Sequence, residues 1–202
     1  KALQQARDRE DVGLAAEAGV QLGIARVNLG DLTGAEQTLK QARADYIRVG
    51  NPHGVAWVDQ NLGNVYASSD ATRAREEYQR ALAGYSGIGD RNGEAAIYSD
   101  LAIMLWTGGD RDGAETAVRK SLAIRRETAD LAGQAWNLAA LASIQLDEAA
   151  TDDAANNYRE AIALDEQAGA RAHHAYTPTD ATPRHRVRAR FRGDAGRAAK
   201  AG

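Results

Sequence analysis

The 202 residues carry a net charge of −3, are 44% hydrophobic and contain no cysteine; that is enough apolar content for a core, and it excludes disulfides, thiolate zinc sites and cysteine nucleophiles. No apolar run approaches the roughly 20 residues of a bilayer-spanning helix, and no signal-peptide pattern opens the chain. The charge is uneven: residues 171–202 hold eight Arg or Lys against two Asp, leaving 17 basic and 26 acidic residues elsewhere, and an acidic body argues against a nucleic-acid platform there.

An internal repeat organises the chain. Leu22, Leu62, Leu101 and Leu141 stand 40, 39 and 40 residues apart. A small residue follows each: Gly23, Gly63, Ala102 and Ala142. Three further small-residue columns keep the register: Ala16, Ala56, Ala95 and Ala135; Ala35, Ala74, Ala114 and Ala154; and Ala42, Ala81, Ser121 and Ala161.

In chain order, residues 1–11 match the second half of a repeat, with Ala2-Leu3 in the column of Ala81-Leu82. They read as an orphan helix, so the chain reads as cut from a longer array. A turn at Asp11-Val12-Gly13 then leads to a first helix over about 14–29, closed by Gly30, with Asp31 capping the next over about 32–49. Gly50-Asn51-Pro52 closes that pair, since Pro is tolerated only at a helix start. The second pair spans about 53–88, the third about 92–128 and the fourth about 131–168. The internal turn of the fourth has no Gly, which leaves Thr151 or Asp152 as its cap. Within each pair the apolar spacing is helical: Ala74, Tyr78, Ala81, Leu82 and Tyr85 share one face.

Residues 1–169 therefore form one repeat array, the orphan helix followed by four helix pairs, and residues 170–202 form a basic, low-complexity, irregular tail. Pro178, Pro183 and the alternating run from His185 to Arg192 predict a disordered segment. The alternative is an extended strand that pairs with a partner or lies on the acidic body.

A first helix with Leu-Gly or Leu-Ala and a second with two spaced alanines resembles the tetratricopeptide repeat. Asn61-Leu62-Gly63-Asn64-Val65-Tyr66, followed by Ala74, Tyr78 and Ala81, carries the resemblance most fully. The repeat here is longer than the family's usual one, about 34 residues, and lacks its closing Pro. Its turn, Gly89-Asp90-Arg91-Asn92-Gly93-Glu94-Ala95, is similar to those of C-terminal arrays in large bacterial regulators, and also to those of arrays in animal adaptors and motor light chains. The resemblance implies an all-α fold, a right-handed superhelical solenoid of antiparallel helix hairpins, whose first helices line a concave groove for a partner protein or peptide segment. Carried onto this sequence, the groove-facing register gives Val20 and Ile24; Trp57, Gln60 and Asn64; Ser99, Ile103 and Trp106; and Trp136 and Ser143. In the family's carboxylate clamp a Lys stands where this chain has Gln60, so a mixed segment met by hydrogen-bonding side chains fits better.

The sequence holds no phosphate-binding loop and no paired metal-ligand motif. Gly108 to Gly113 resembles a calcium-loop fragment but lacks the later ligands, and His173, His174 and His185 read as solvated tail residues. No nucleophile and base converge. The expectation is a non-enzymatic interaction scaffold without cofactor, metal or catalytic residues, cytoplasmic and off the membrane, serving as the regulatory part of a larger bacterial regulator. The alternative is a sensor whose superhelix changes shape when a peptide or small ligand binds. The charge balance argues against nucleic acid for the body and leaves it open for the basic tail. Exposed terminal repeats offer surfaces for self-association.

Overall fold

A computed structural model describes residues 2–147 and 150–168, with side chains described for 11–146 and 150–168. The expected tail lies outside the described residues. Among the described residues every regular element is a helix: α1 (Ala2–Asn28), α2 (Leu32–Val49), α3 (Pro52–Tyr66), α4 (Ala71–Gly87), α5 (Arg91–Thr107), α6 (Arg111–Glu127), α7 (Leu131–Asp147) and α8 (Thr151–Gln167). They pack as successive hairpins, α1 with α2, α3 with α4, α5 with α6 and α7 with α8. The chain divides after Asp90 into two compact units of two hairpins each. In the first, α2 joins the hairpins by packing on α3; in the second, α6 packs on α7.

The turns follow from cap chemistry. Asp31, Asn51, Asp70 and Asp110 each accept a hydrogen bond from a backbone N–H three residues on, which satisfies one of the orphan donors of a helix start. Asp130 does the same for Gly133. Left-handed residues follow α1, α2, α4 and α5 (Gly30, Gly50, Gly89 and Gly109) and α6 (Ala129 at φ 54°), whereas α3 is followed by Ala67 in the right-handed region. Alanine adopts that conformation at a cost of roughly 1–2 kcal/mol. The turn into α8 departs from expectation. Ala150 holds the N-cap position without a side-chain hydrogen bond, Thr151 is the first helical residue, and Asp152 and Asp153 lie in the first turn, where carboxylates favour the helix dipole.

The expected break at Asp11-Val12-Gly13 is absent: α1 runs without interruption from Ala2 to Asn28. The cause is in the repeat. The left-handed position occupied by Gly50, Gly89 and Ala129 is Glu10 here, and the N-terminal Pro52 of α3 is matched by Val12. With neither a C′ glycine nor a proline, nothing local stops the helix.

The small-residue columns form the seams. Ala35, Ala74, Ala114 and Ala154 are wholly buried. A methyl placed on Gly63 would come within 2.5 Å of the Tyr78 ring, and one on Gly23 within 2.7 Å of Leu39. These glycines let a first helix lie against a bulky residue of its second helix.

Candidate functional site

The first helices were expected to present one face to a partner, and their placement can be read unit by unit. In the first unit α3 buries Ala56, Val58, Asp59, Leu62, Gly63 and Tyr66. Among the residues left at least partly open are Trp57, Asn61 and Asn64 at i, i+4 and i+7, one face of a 3.6-residue helix, and Ser68, four residues further on, is exposed in the turn beyond α3. The same columns on α1 are Glu17, Gln21, Ile24 and Asn28, none of them fully buried. Helices α1 and α3 also touch.

Hydrogen bonds fix the amides of this surface. Asn61 donates to the carbonyl of Trp57 at 2.7 Å, and the Tyr78 hydroxyl donates to Asn64 Oδ1 at 2.7 Å. The bond from Tyr78 takes the oxygen of Asn64 and leaves its Nδ2 as the group on offer. At the N-terminal end of the stripe His53 lies 3.3 Å from Asp90 and meets the edge of Tyr85. Beneath, Arg43 of α2 pairs with the buried Asp59 at 2.5 Å, and that partner raises the guanidinium pKa further. A second network joins α2, α3 and α4. Arg73 donates to Tyr66 at 2.6 Å and to Glu36 at 3.1 Å, with its guanidinium 3.8 Å above the Tyr66 ring. Lys40 and these neighbours lower Glu36 to about 2 against opposing burial, while burial, reinforced by Glu36, raises Tyr66 to about 12.

Six of the ten expected groove residues are buried instead. Val20 is sealed in the core. Gln60 turns inward to accept from the Tyr85 hydroxyl at 3.1 Å. Its neighbour Asn61 takes the outward position, because a stripe can step by three or four residues and Tyr85 captures the amide one place earlier. In the second unit Ser99 lies 2.9 Å from Ser121 Oγ and 3.1 Å from the Asn137 amide, and Ser121 donates to the Ala95 carbonyl at 2.8 Å. This cluster ties α5, α6 and α7 together. Ser143 pairs with the Tyr158 hydroxyl at 2.6 Å. Ile103 and Trp106 belong to the core between the two hairpins, together with Ala114, Val118, Leu141 and Ile144, and the partly buried Trp136 packs against the same core. Ile24, Trp57, Asn64 and Trp136 are the expected residues that stay partly accessible. One signal in the repeat pointed to the buried cluster. Asn137 stands in a column otherwise Ala18, Val58 and Ile97, and Ser121 in a column otherwise alanine.

Among the described residues no group of three or more His, Asp or Glu side chains could hold a metal, and no helix is long and apolar enough to cross a membrane.

Residues 66–127 match the tetratricopeptide repeat family model. No curated protein matches the chain. Among solved structures, a protein from Podosopora anserina described as a kinesin light chain with nearly identical TPR-like repeats superposes with a TM-score of 0.60 at 14% identity, covering 91% of this chain and 90% of that one. A single-substitution variant of it gives 0.59 at 15%, covering 91% and 89%. BtubC (BKLC) from P. vanneervenii gives 0.56 at 20%, covering 81% of this chain and 66% of its own. Tetratricopeptide repeats in general are protein-interaction scaffolds rather than catalysts. From the hairpin register, the matched segment and these likenesses, the chain is an all-α helical-repeat protein of tetratricopeptide-like fold.

Proposed function

We propose that this protein is an interaction scaffold whose first unit receives a segment of a partner protein along the paired stripes of α1 and α3. The observation that carries the reading is that the same accessible columns recur on both first helices, with Gln21, Asn61, Asn64 and the half-buried Trp57 among them. Amide side chains both donate and accept, so they match a peptide backbone whatever its sequence. Trp57 and Ile24 supply the apolar area that an anchoring side chain needs. The stripe contains no cation, and its one charge is Glu17, so the favoured segment is internal and neutral or basic rather than a C-terminal carboxylate. The turn from Gly89 to Ala95, similar to those of arrays in bacterial regulators, supports a regulatory role. Absence of cysteine suits a reducing compartment such as the cytoplasm.

The test is selection of peptides from a display library on the 202-residue chain, followed by calorimetry of the enriched sequences. Trp57→Ala is expected to weaken binding at least about tenfold, a value typical of an interface anchor, and Asn61→Ala with Asn64→Ala comparably, all with unchanged helicity. Affinities that ignore these substitutions would remove the stripe as the site.

A further inference from the structure

In the second unit two contacts tie α6 to α8. Leu122 is buried in one cluster with Ala161 and with Leu138 of α7, and Arg126 reaches Glu160 at 3.3 Å. In the repeat register the counterparts of Leu122, Arg126 and Glu160 in the first unit are Arg43 and Ile47 on α2 and Arg80 on α4. Arg43 turns instead to Asp59 of α3, 2.5 Å away, and Ile47, 55% exposed, gives Arg80 no acceptor. A cleft of about 460 Å³ stands there between α2 and α4.

The cleft combines apolar surface with cations. Leu62 of α3, Ala44 and Ile47 supply the apolar part, and of the four charged side chains that line it, Lys40, Arg43 and Arg80 are cations and Glu77 is the anion. The charges are layered by depth. The side chains of Asp59 and Glu77 are 3% and 11% exposed, against 34% and 47% for their partners Arg43 and Arg80. A guanidinium carries five N–H donors. Arg43 commits Nε and Nη2 to Asp59, and Arg80 commits the same two nitrogens to Glu77, so each keeps the donors of Nη1. Guanidinium donors above buried carboxylates, beside an aliphatic wall, suit a carboxylate carried next to an apolar group. Lys40, Ala44, Ile47 and Arg80 are all exposed, so the cleft stays open to solvent. It suits side chains presented by a polypeptide better than a small molecule, which a pocket buries over most of its surface.

We propose that the cleft between α2 and α4 is a second binding site, taking a partner segment in which Asp or Glu stands next to an aliphatic residue. The aliphatic side chain packs on Leu62 and Ile47, and the carboxylate meets Nη1 of Arg43 or Arg80. The site uses α2 and α4 where the amide stripe uses α1 and α3, and it selects the opposite charge, so neither reading rests on the other.

The test is peptide selection from a display library on the 202-residue chain carrying Trp57→Ala and Asn61→Ala, which weaken the stripe; a failure here therefore leaves the stripe untouched. Enriched peptides are expected to hold Asp or Glu beside Leu, Ile or Val, and by fluorescence anisotropy to bind more weakly as salt is added. Ile47→Glu sits on an exposed position and leaves every ion pair of the cleft in place. It is expected to keep the circular dichroism of the parent and to weaken binding at least about tenfold, as loss of an anchor does, while Ile47→Leu retains affinity. Ile47→Arg with Arg80→Glu copies the pair of Arg126 and Glu160 into the first unit and is expected to close the cleft and abolish binding. The proposal is overturned by a library without enrichment, by enriched peptides without an acidic bias, or by affinities indifferent to Ile47→Glu. Octanoate binding as tightly as the peptides would assign the cleft to small molecules instead. Sedimentation of the parent above the monomer mass, lost in Ile47→Glu, would assign it to a second copy of the chain.

Discussion

Glu36 shows how single side chains hold a seam. It sits between Lys40, Tyr66 and Arg73, and those partners keep its carboxyl down at about 2 when folded against 4.5 unperturbed. A lowered folded-state pKa favours the native state above the unfolded value and ceases to do so as pH falls through the folded one. The contribution is therefore complete above pH 4.5 and lost on the way to about 2. Urea unfolding of wild type and Glu36→Gln across that window checks it. The wild-type midpoint is expected to fall toward that of the variant as the solution is acidified, with the largest gap near neutrality. A gap independent of pH would mean that the carboxylate charge contributes nothing. The glycines of the seams act differently, by absence: Gly63 is required because the Tyr78 ring occupies the place of a Cβ, and overpacking there would cost roughly 1–3 kcal/mol.

At the level of elements, the junction of α5, α6 and α7 depends on Ser99, Ser121 and Asn137, all buried. Removing one partner of a buried polar group strands the others, at about 1–3 kcal/mol, whereas replacing all of them by apolar residues of similar shape can be nearly neutral. Asn137→Ala is expected to destabilise the second unit by about that amount. Ser99→Ala, Ser121→Ala and Asn137→Ile together, which return the last two columns to the residue types of the other repeats, are expected to recover most of the loss in a denaturant midpoint. A triple variant weaker than Asn137→Ala would show that the cluster is more than locally satisfied polarity. How far such elements were legible in the sequence follows from what each position must do. The hairpins were legible because a close seam admits only small residues, and those recur visibly at 39 or 40 positions. The continuity of α1 was not, since homology to Asn51 and Asp90 suggested a turn while the deciding residue, Glu10, differed from glycine one place earlier. The outward stripe was half legible. Trp57 and Asn64 fall on it, but whether Gln60 or Asn61 lies between them is settled by the reach of Tyr85 from another helix, which no local pattern contains. Trp106 misled for a related reason: an aromatic residue serves a seam as well as it serves a partner, and the Leu141 and Ile144 columns of the next hairpin enclose it.

For the molecule as a whole, the division after Asp90 turns local energetics into a measurable pattern. In a repeat protein stability is approximately a sum of unit terms and nearest-neighbour interface terms, so damage inside one unit need not be felt equally in the other. The tryptophans report this by their placement: Trp57 lies in the first unit, and Trp106 and Trp136 in the second. With Trp57→Phe the fluorescence reads the second unit alone; with Trp106→Phe and Trp136→Phe it reads the first. Asn137→Ala added to each background is expected to lower the urea midpoint of the second unit by the full effect of the stranded cluster and to move that of the first by less than half as much. Two-state behaviour requires every probe to give one transition. Coincident midpoints that shift together in both backgrounds would therefore mean that the coupling between units outweighs their separate stabilities, and that the chain folds as a single cooperative body.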